Sequence, residues 1–308
     1  MNEHQFPVRD QVFLDHVGIF VSEFVQSGAA LQRLGFTVSD FHAHRSALTP
    51  GEPLKPLGTG NRCVMLRTGF LELLGPTGEQ TPIAAALHAA LARYDGLHLI
   101  AFSAADPERF HAGLSERGLK PVPIARIRRN HPMQDGSLAE VGGSVVRLAP
   151  EAWPEGRVQT VFPEMAPEVM WQPHLLGHAN GAIGLTEMLI AVAEPEARAE
   201  QFACFTGKPL RRDGSVHVIE LDRGRLYITG HDAAQRALPG AVIAELPYMA
   251  AVAVEVETLA DTGRFMTEAG IPHTSACATL QPAQRAALGA SIVFHDRTEA
   301  RPFAALCG

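Results

Sequence analysis

The chain has 308 residues, 46% of them hydrophobic, and a formal net charge of -7. That length and apolar content suit two cores of ordinary size. The acidic balance, without a long Lys/Arg run, argues against a nucleic-acid surface, although the locally basic stretch 124–129 suits an anionic ligand.

Cys63, Cys204, Cys277 and Cys307 are widely separated and form no C-x-x-C pair, which points to a reducing compartment rather than a disulfide scaffold or zinc knuckle. The N-terminus has no basic region followed by an apolar one, and no segment reaches the roughly eighteen uninterrupted apolar residues of a membrane span. The expectation is a cytoplasmic protein with no membrane partner.

In chain order, the apolar run 13–21 predicts a strand and 23–34 a helix closed by Gly35, with 36–38 resuming as strand. Strands follow at 61–66 and, after the Thr68-Gly69 turn, at 70–74, completing a βαβββ module. The order restarts with a strand at 97–102, a helix at 107–117 and strands at 144–148 and 158–162. A third module has a strand at 185–192, a helix at 195–205 and strands at 215–221 and 225–228. The fourth has a strand at 250–256, a helix at 259–268 and a strand at 291–294.

Four modules in two pairs predict an α+β fold with domains at 11–165 and 185–308 joined by a Pro/Gly-containing linker, 166–184. The stretches 41–60 and 120–143 have little periodicity and resemble lids or insertions.

His16, Glu72 and His98 each interrupt an apolar strand, where an ionisable group needs a partner. Strand alternation puts His16 with Leu14 and Phe20, Glu72 with Phe70 and Leu74, and His98 with Ile100 and Phe102, so all three could enter one cavity. A divalent cation accepts this mixture of N and O donors. Two other readings stay open: His16 as a hydrogen-bonded core residue, and Glu72 paired with Arg62, Arg67 or His98. Gln159 answers to Glu72 in the second module, as a fourth oxygen ligand or as a group orienting a histidine, with Glu164 as a competitor. His42, His44 and His131 are candidate bases on the long stretches, and Arg45, Arg62, Arg126, Arg128 and Arg129 are candidate anion clamps. Cys63 and Cys204 read as packing residues.

Three segments carry a wider resemblance: Leu14-Asp15-His16-Val17-Gly18-Ile19, Phe70-Leu71-Glu72-Leu73-Leu74 and Leu97-His98-Leu99-Ile100-Ala101-Phe102. With the four modules, they make the chain resemble the vicinal oxygen chelate superfamily, which includes glyoxalase I, extradiol dioxygenases and fosfomycin-resistance proteins. His44-Arg45, Gly58-Thr59-Gly60-Asn61-Arg62 and His178-Ala179-Asn180-Gly181-Ala182 resemble its glyoxalase-like domain branch. The resemblance implies a glyoxalase/bleomycin resistance/dioxygenase-like fold, with paired modules cupped around a divalent Fe, Mn, Ni, Co or Zn ion. His16 and His98 match its first-strand ligands, Glu72 a last-strand ligand and Gln159 the remaining last-strand place.

In the second pair, Glu187 falls opposite His16 and Tyr227 opposite Glu72, which reads as a degenerate half. The implied function is metal-dependent lyase or isomerase chemistry on a small molecule with adjacent oxygens, with Glu72 as a catalytic group as well as a ligand. Extradiol ring cleavage and non-catalytic binding or sequestration are the alternatives. The partner expected is a small-molecule substrate, an anionic one being compatible with the basic stretch 124–129; a homodimer is compatible with the pattern.

Overall fold

A computed structural model describes residues 5–46, 53–243, 245–276, 278–297 and 302–303. Cys277, Cys307 and the side chain of Arg129 lie outside what is described.

The first half runs β1 (Phe13–Phe20), α1 (Phe24–Arg33), β2 (His42–Ser46), β3 (Lys55–Met65) and β4 (Phe70–Pro76). After α2 (Pro82–Leu91) it repeats as β5 (Gly96–Ser103), α3 (Pro107–Glu116), β6 (Ala125–Pro132), β7 (Leu138–Val146) and β8 (Arg157–Pro163). A short α4 (Pro167–Met170) lies in the connection to the second half. That half has β9 (Ala182–Ala191), α5 (Pro195–Thr206), β10 (Leu210–Asp213), β11 (Val216–Glu220), β12 (Arg225–Thr229) and α6 (His231–Ala237). It ends with β13 (Tyr248–Val256), α7 (Leu259–Glu268), β14 (His273–Ala276), β15 (Thr279–Pro282) and β16 (Ser291–Asp296).

Two eight-stranded sheets result, ordered β2-β3-β4-β1-β5-β8-β7-β6 and β10-β11-β12-β9-β13-β16-β15-β14. Each is a pair of βαβββ modules joined where their first strands run antiparallel, β1 on β5 and β9 on β13. Among the described residues no helix is long and apolar enough to cross a membrane.

Alternation within the strands decides which face is covered. Val17 and Ile19 of β1, Leu71 and Leu73 of β4, and Ile100 and Phe102 of β5 join Leu31 and Leu34 beside α1 in one core. Their counterparts Met188, Ile190, Val252 and Val254 from the second sheet enter the same cluster, so one apolar layer unites the two halves. Each such fully buried side chain contributes roughly 1.5–3 kcal/mol. The opposite faces of the sheets curl into two cups.

The stretches expected to be lids are largely strand. His42 and His44 stand on β2, and 120–143 contains most of the β6/β7 hairpin. Edge strands with polar and glycine residues lack the apolar alternation that marks central ones. Conversely, 36–38 is not strand, because Gly35 at φ 86° turns the chain out of α1 and into a loop. The connection between halves also folds back over the first cup. Trp171 donates its indole N–H to the Leu66 carbonyl at 2.9 Å and meets Phe70 edge-on at 6.2 Å.

Candidate active site in the first cup

Directly paired residues share a face, so the register builds the cup. His16 pairs with Phe70 and Ala101, Gly18 with Glu72 and Leu99, and Ala101 with Gln159. One row across the floor is therefore Phe70, His16, Ala101, Gln159, and the next is Glu72, Gly18, Leu99, Arg157. These rows enclose a cavity of about 270 Å³. At Gly18 the strands come so close that a Cβ would sit 2.8 Å from that of Leu99.

Asp15 and His16 are neighbours in sequence, yet both line the cavity. The register shift between Leu14 and His16 explains this: Asp15 is the extra residue of a β-bulge, which turns it toward the cup. Both side chains are buried. His16 Nδ1 lies 2.7 Å from Asp15 Oδ1, so the carboxylate holds Nδ1 as the donor and leaves the Nε2 lone pair facing the cavity. Nε2 is 4.0 Å from Glu72 Oε2, while Glu72 Oε1 accepts from Asn61 Nδ2 at 2.7 Å. The ring of His16 is also stacked on Phe70 at 4.3 Å. His44 joins the wall with its Nδ1 3.0 Å from Thr59 Oγ1.

His16, Glu72 and Gln159 thus share one cavity, whereas His98 does not line it. His98 is the extra residue of a second bulge, opposite the step from Gly18 to Ile19. Three residues beyond Asp15 is Gly18, paired with Glu72; three residues beyond His98 is Ala101, paired with Gln159. The pseudo-twofold of the sheet therefore matches His98 with Asp15 and matches His16 with Leu99. The expected convergence of two histidines is corrected by one residue. The second half follows the same register: Glu187 takes the place of His16, Tyr227 that of Glu72 and Val293 that of Gln159. There Glu187 accepts from the backbone N–H of Phe303 at 3.2 Å, and Phe303 packs on Tyr227 inside the second cup.

His98 instead is a core residue. Its Nε2 donates to the Tyr94 carbonyl at 2.8 Å and its ring stacks on Tyr94 at 3.9 Å. Nδ1 is buried without a hydrogen bond, and burial lowers the pKa to about 4. An ordinary histidine in the unfolded chain has a pKa of about 6.5, so protons favour unfolding as pH falls from 6.5 toward 4. This loss reaches about 2 kcal/mol by pH 5. His98→Gln keeps a donor but cannot titrate; urea unfolding at pH 7.5 and pH 5 is expected to show the acid loss in the wild type and that much less of it in the variant. Equal losses would remove His98 as the cause.

The donor set does not fit the four-ligand centre expected from the sequence. Among the described residues no three His, Cys, Asp or Glu side chains are grouped to hold a metal ion. Leu99 occupies the second histidine place, and Gln159 offers only a neutral amide.

Of the candidate loop arginines, Arg45 and Arg128 line the cavity while Arg62 and Arg126 do not, and each of the four has a partner of its own. Arg126 meets Glu108, Arg128 meets Glu140, Arg62 donates to the Ser39 carbonyl and Arg45 to the Leu54 carbonyl. The cations that sequence reading missed are Arg147 and Arg157, both lining the cavity. Burial and the positive Arg147 pull the Arg157 pKa down, while Glu72 pulls it up. Arg147 interrupts an apolar stretch, the same signal that singled out Glu72, whereas Arg157 opens β8 after Pro154-Glu155-Gly156 and carries no such signal. Asp15 stands in the same apolar run as His16, but strand alternation puts the two on opposite faces, and only the bulge turns both into the cup. His178 and Asn180 serve structure: His178 donates to the Met65 carbonyl and Asn180 to the Leu34 carbonyl.

Comparison with known proteins places this geometry. No curated protein matches the sequence. Among solved structures, a hypothetical protein from Staphylococcus aureus superposes with a TM-score of 0.63 at 10% identity, covering 92% of this chain and 99% of that one. A triple mutant of 4-hydroxymandelate synthase from Streptomyces coelicolor gives 0.53 at 12% identity, covering 94% of each chain. An extradiol ring-cleaving dioxygenase from B. fuscum gives 0.52 at 15% identity, covering 94% of this chain and 72% of that one. At such identities the likeness is one of fold. The model of the glyoxalase-like domain matches residues 14–206, more than half of the chain. The chain belongs to the glyoxalase-like domain family.

Proposed function

We propose that the first cup binds a small molecule with adjacent oxygens and that His16 moves a proton on it, in lyase or isomerase chemistry of the glyoxalase kind. The supporting observation is the Asp15 and His16 pair, with Nε2 turned to the cavity 4.0 Å from Glu72. A proton on a carbon beside a carbonyl would pass to Nε2, leaving an enolate; Asp15 stabilises the imidazolium, which then returns the proton to the adjacent carbon or to oxygen. Gln159 lies across the floor from His16, two strands or about 10 Å away, with only the methyl of Ala101 between. Its amide N–H is placed to donate to the enolate oxygen.

Metal dependence does not follow from this donor set. Extradiol cleavage would need an ion held by about three protein donors, and among the described residues no three His, Cys, Asp or Glu side chains are grouped to hold one. No step above is routed through a metal. The test is deuterium wash-in from D2O into a panel of small 2-oxo acids and hydroxyketones, followed by NMR. Catalysed exchange into at least one compound supports the reading, and exchange at the uncatalysed rate across the panel contradicts it.

A further inference from the structure

Arg147 and Arg157 are the unexplained charges of the cavity. Arg157 lies on β8 two residues before Gln159, on the same face. β7 runs antiparallel to β8 with Val145 opposite Val161 and Val146 opposite Thr160, so the next place in that register sets Arg147 beside Gln159. The two guanidinium groups therefore flank one amide, and they are near enough for each to oppose the other's charge. Among the described residues neither has a carboxylate within ion-pair distance; Arg157 only lies over the Phe20 ring at 6.0 Å. This differs from the exposed arginines on β6, which are paired with glutamates.

Two adjacent partly buried cations with no carboxylate at ion-pair distance repel one another, and an anion between them lowers the free energy. We propose that Arg147, Arg157 and Gln159 form a subsite for the carboxylate of a small organic acid. The inference rests on the first cup being the site of Proposed function and adds the class of its substrate.

A carboxylate matches the planar guanidinium fork and carries one negative charge. A phosphate dianion would meet more repulsion from Asp15 and Glu72 on the facing wall. The rest of the molecule would lie on Phe70, Trp171 and Met170, apolar groups that line the same cavity. An acid held this way directs its neighbouring carbonyl and carbon along the row from Gln159 toward His16.

The test is calorimetric titration of the full chain at low salt with 4-methyl-2-oxopentanoate, its methyl ester and inorganic phosphate. The acid is expected to bind about tenfold or more tightly than the ester. Arg147→Gln and Arg157→Gln should each weaken the acid by about tenfold and leave the ester unchanged. Arg157→Lys should keep part of the preference, and melting curves identify any variant that has not folded. His16→Asn should bind the acid as the wild type does, so loss of deuterium exchange in that variant tests the proton-transfer reading separately. Equal binding of acid and ester, no acid binding at millimolar concentration, or folded glutamine variants that bind like the wild type would overturn the subsite. Phosphate binding more tightly than the acid would overturn the choice of carboxylate.

Discussion

His16→Asn is expected to lower the turnover of catalysed deuterium exchange by ~10²–10⁴-fold, the usual range for loss of a general base, with little change in KM. Asparagine keeps a donor for Asp15 but has no group that accepts a proton at neutral pH. Asp15→Asn should act in the same direction through a different route. Asp15 touches His16 rather than the cavity's reacting centre, so it is a positioning residue that fixes the tautomer and stabilises the imidazolium. Its loss should lower kcat with KM unchanged, and that split separates positioning of the base from damage to the fold. Unchanged exchange in both folded variants would contradict the assignment of the base.

The second large effect concerns the leucine standing where a histidine was expected. Leu99→His places an imidazole at the pseudo-twofold mate of His16, completing two histidines and Glu72 around one cavity. Zn2+ or Ni2+ affinity, measured by chelator competition, should rise on the order of 100-fold over the wild type. The native Leu99 already carries a Cβ at the close approach to Gly18, so the substitution adds no new clash there. A wild-type protein that retains one equivalent of metal through chelator dialysis, with no gain in Leu99→His, would show that the donors assemble differently.

The central architecture was legible because β1, β4 and β5 are mostly apolar and β8 alternates apolar with polar residues, while the edge pair β2 and β6 lacked either pattern and read as loop. Glu72 and His16 were legible for a related reason: an ionisable group inside an apolar strand is rare enough to stand out. His98 met the same criterion and went to the core, stacked on Tyr94. A single-residue bulge decides between these fates by shifting every later side chain to the other face, and no local residue pattern in β5 announces it. The same device brings Asp15 into the cup. Arg147 was visible as a charge in an apolar stretch and Arg157 was not, and their proximity depends on the β7/β8 register, which only the folded sheet supplies.

His16, not His98, faces the first cup. Nitrogen-15 NMR of histidine-labelled protein, with the two rings assigned from His16→Asn and His98→Gln, reads this directly as 4-methyl-2-oxopentanoate is added. The predicted result is a shift of the His16 Nε2 signal while His98 stays unmoved and neutral down to about pH 5, consistent with its pKa near 4. A response at His98 with His16 silent would contradict the site.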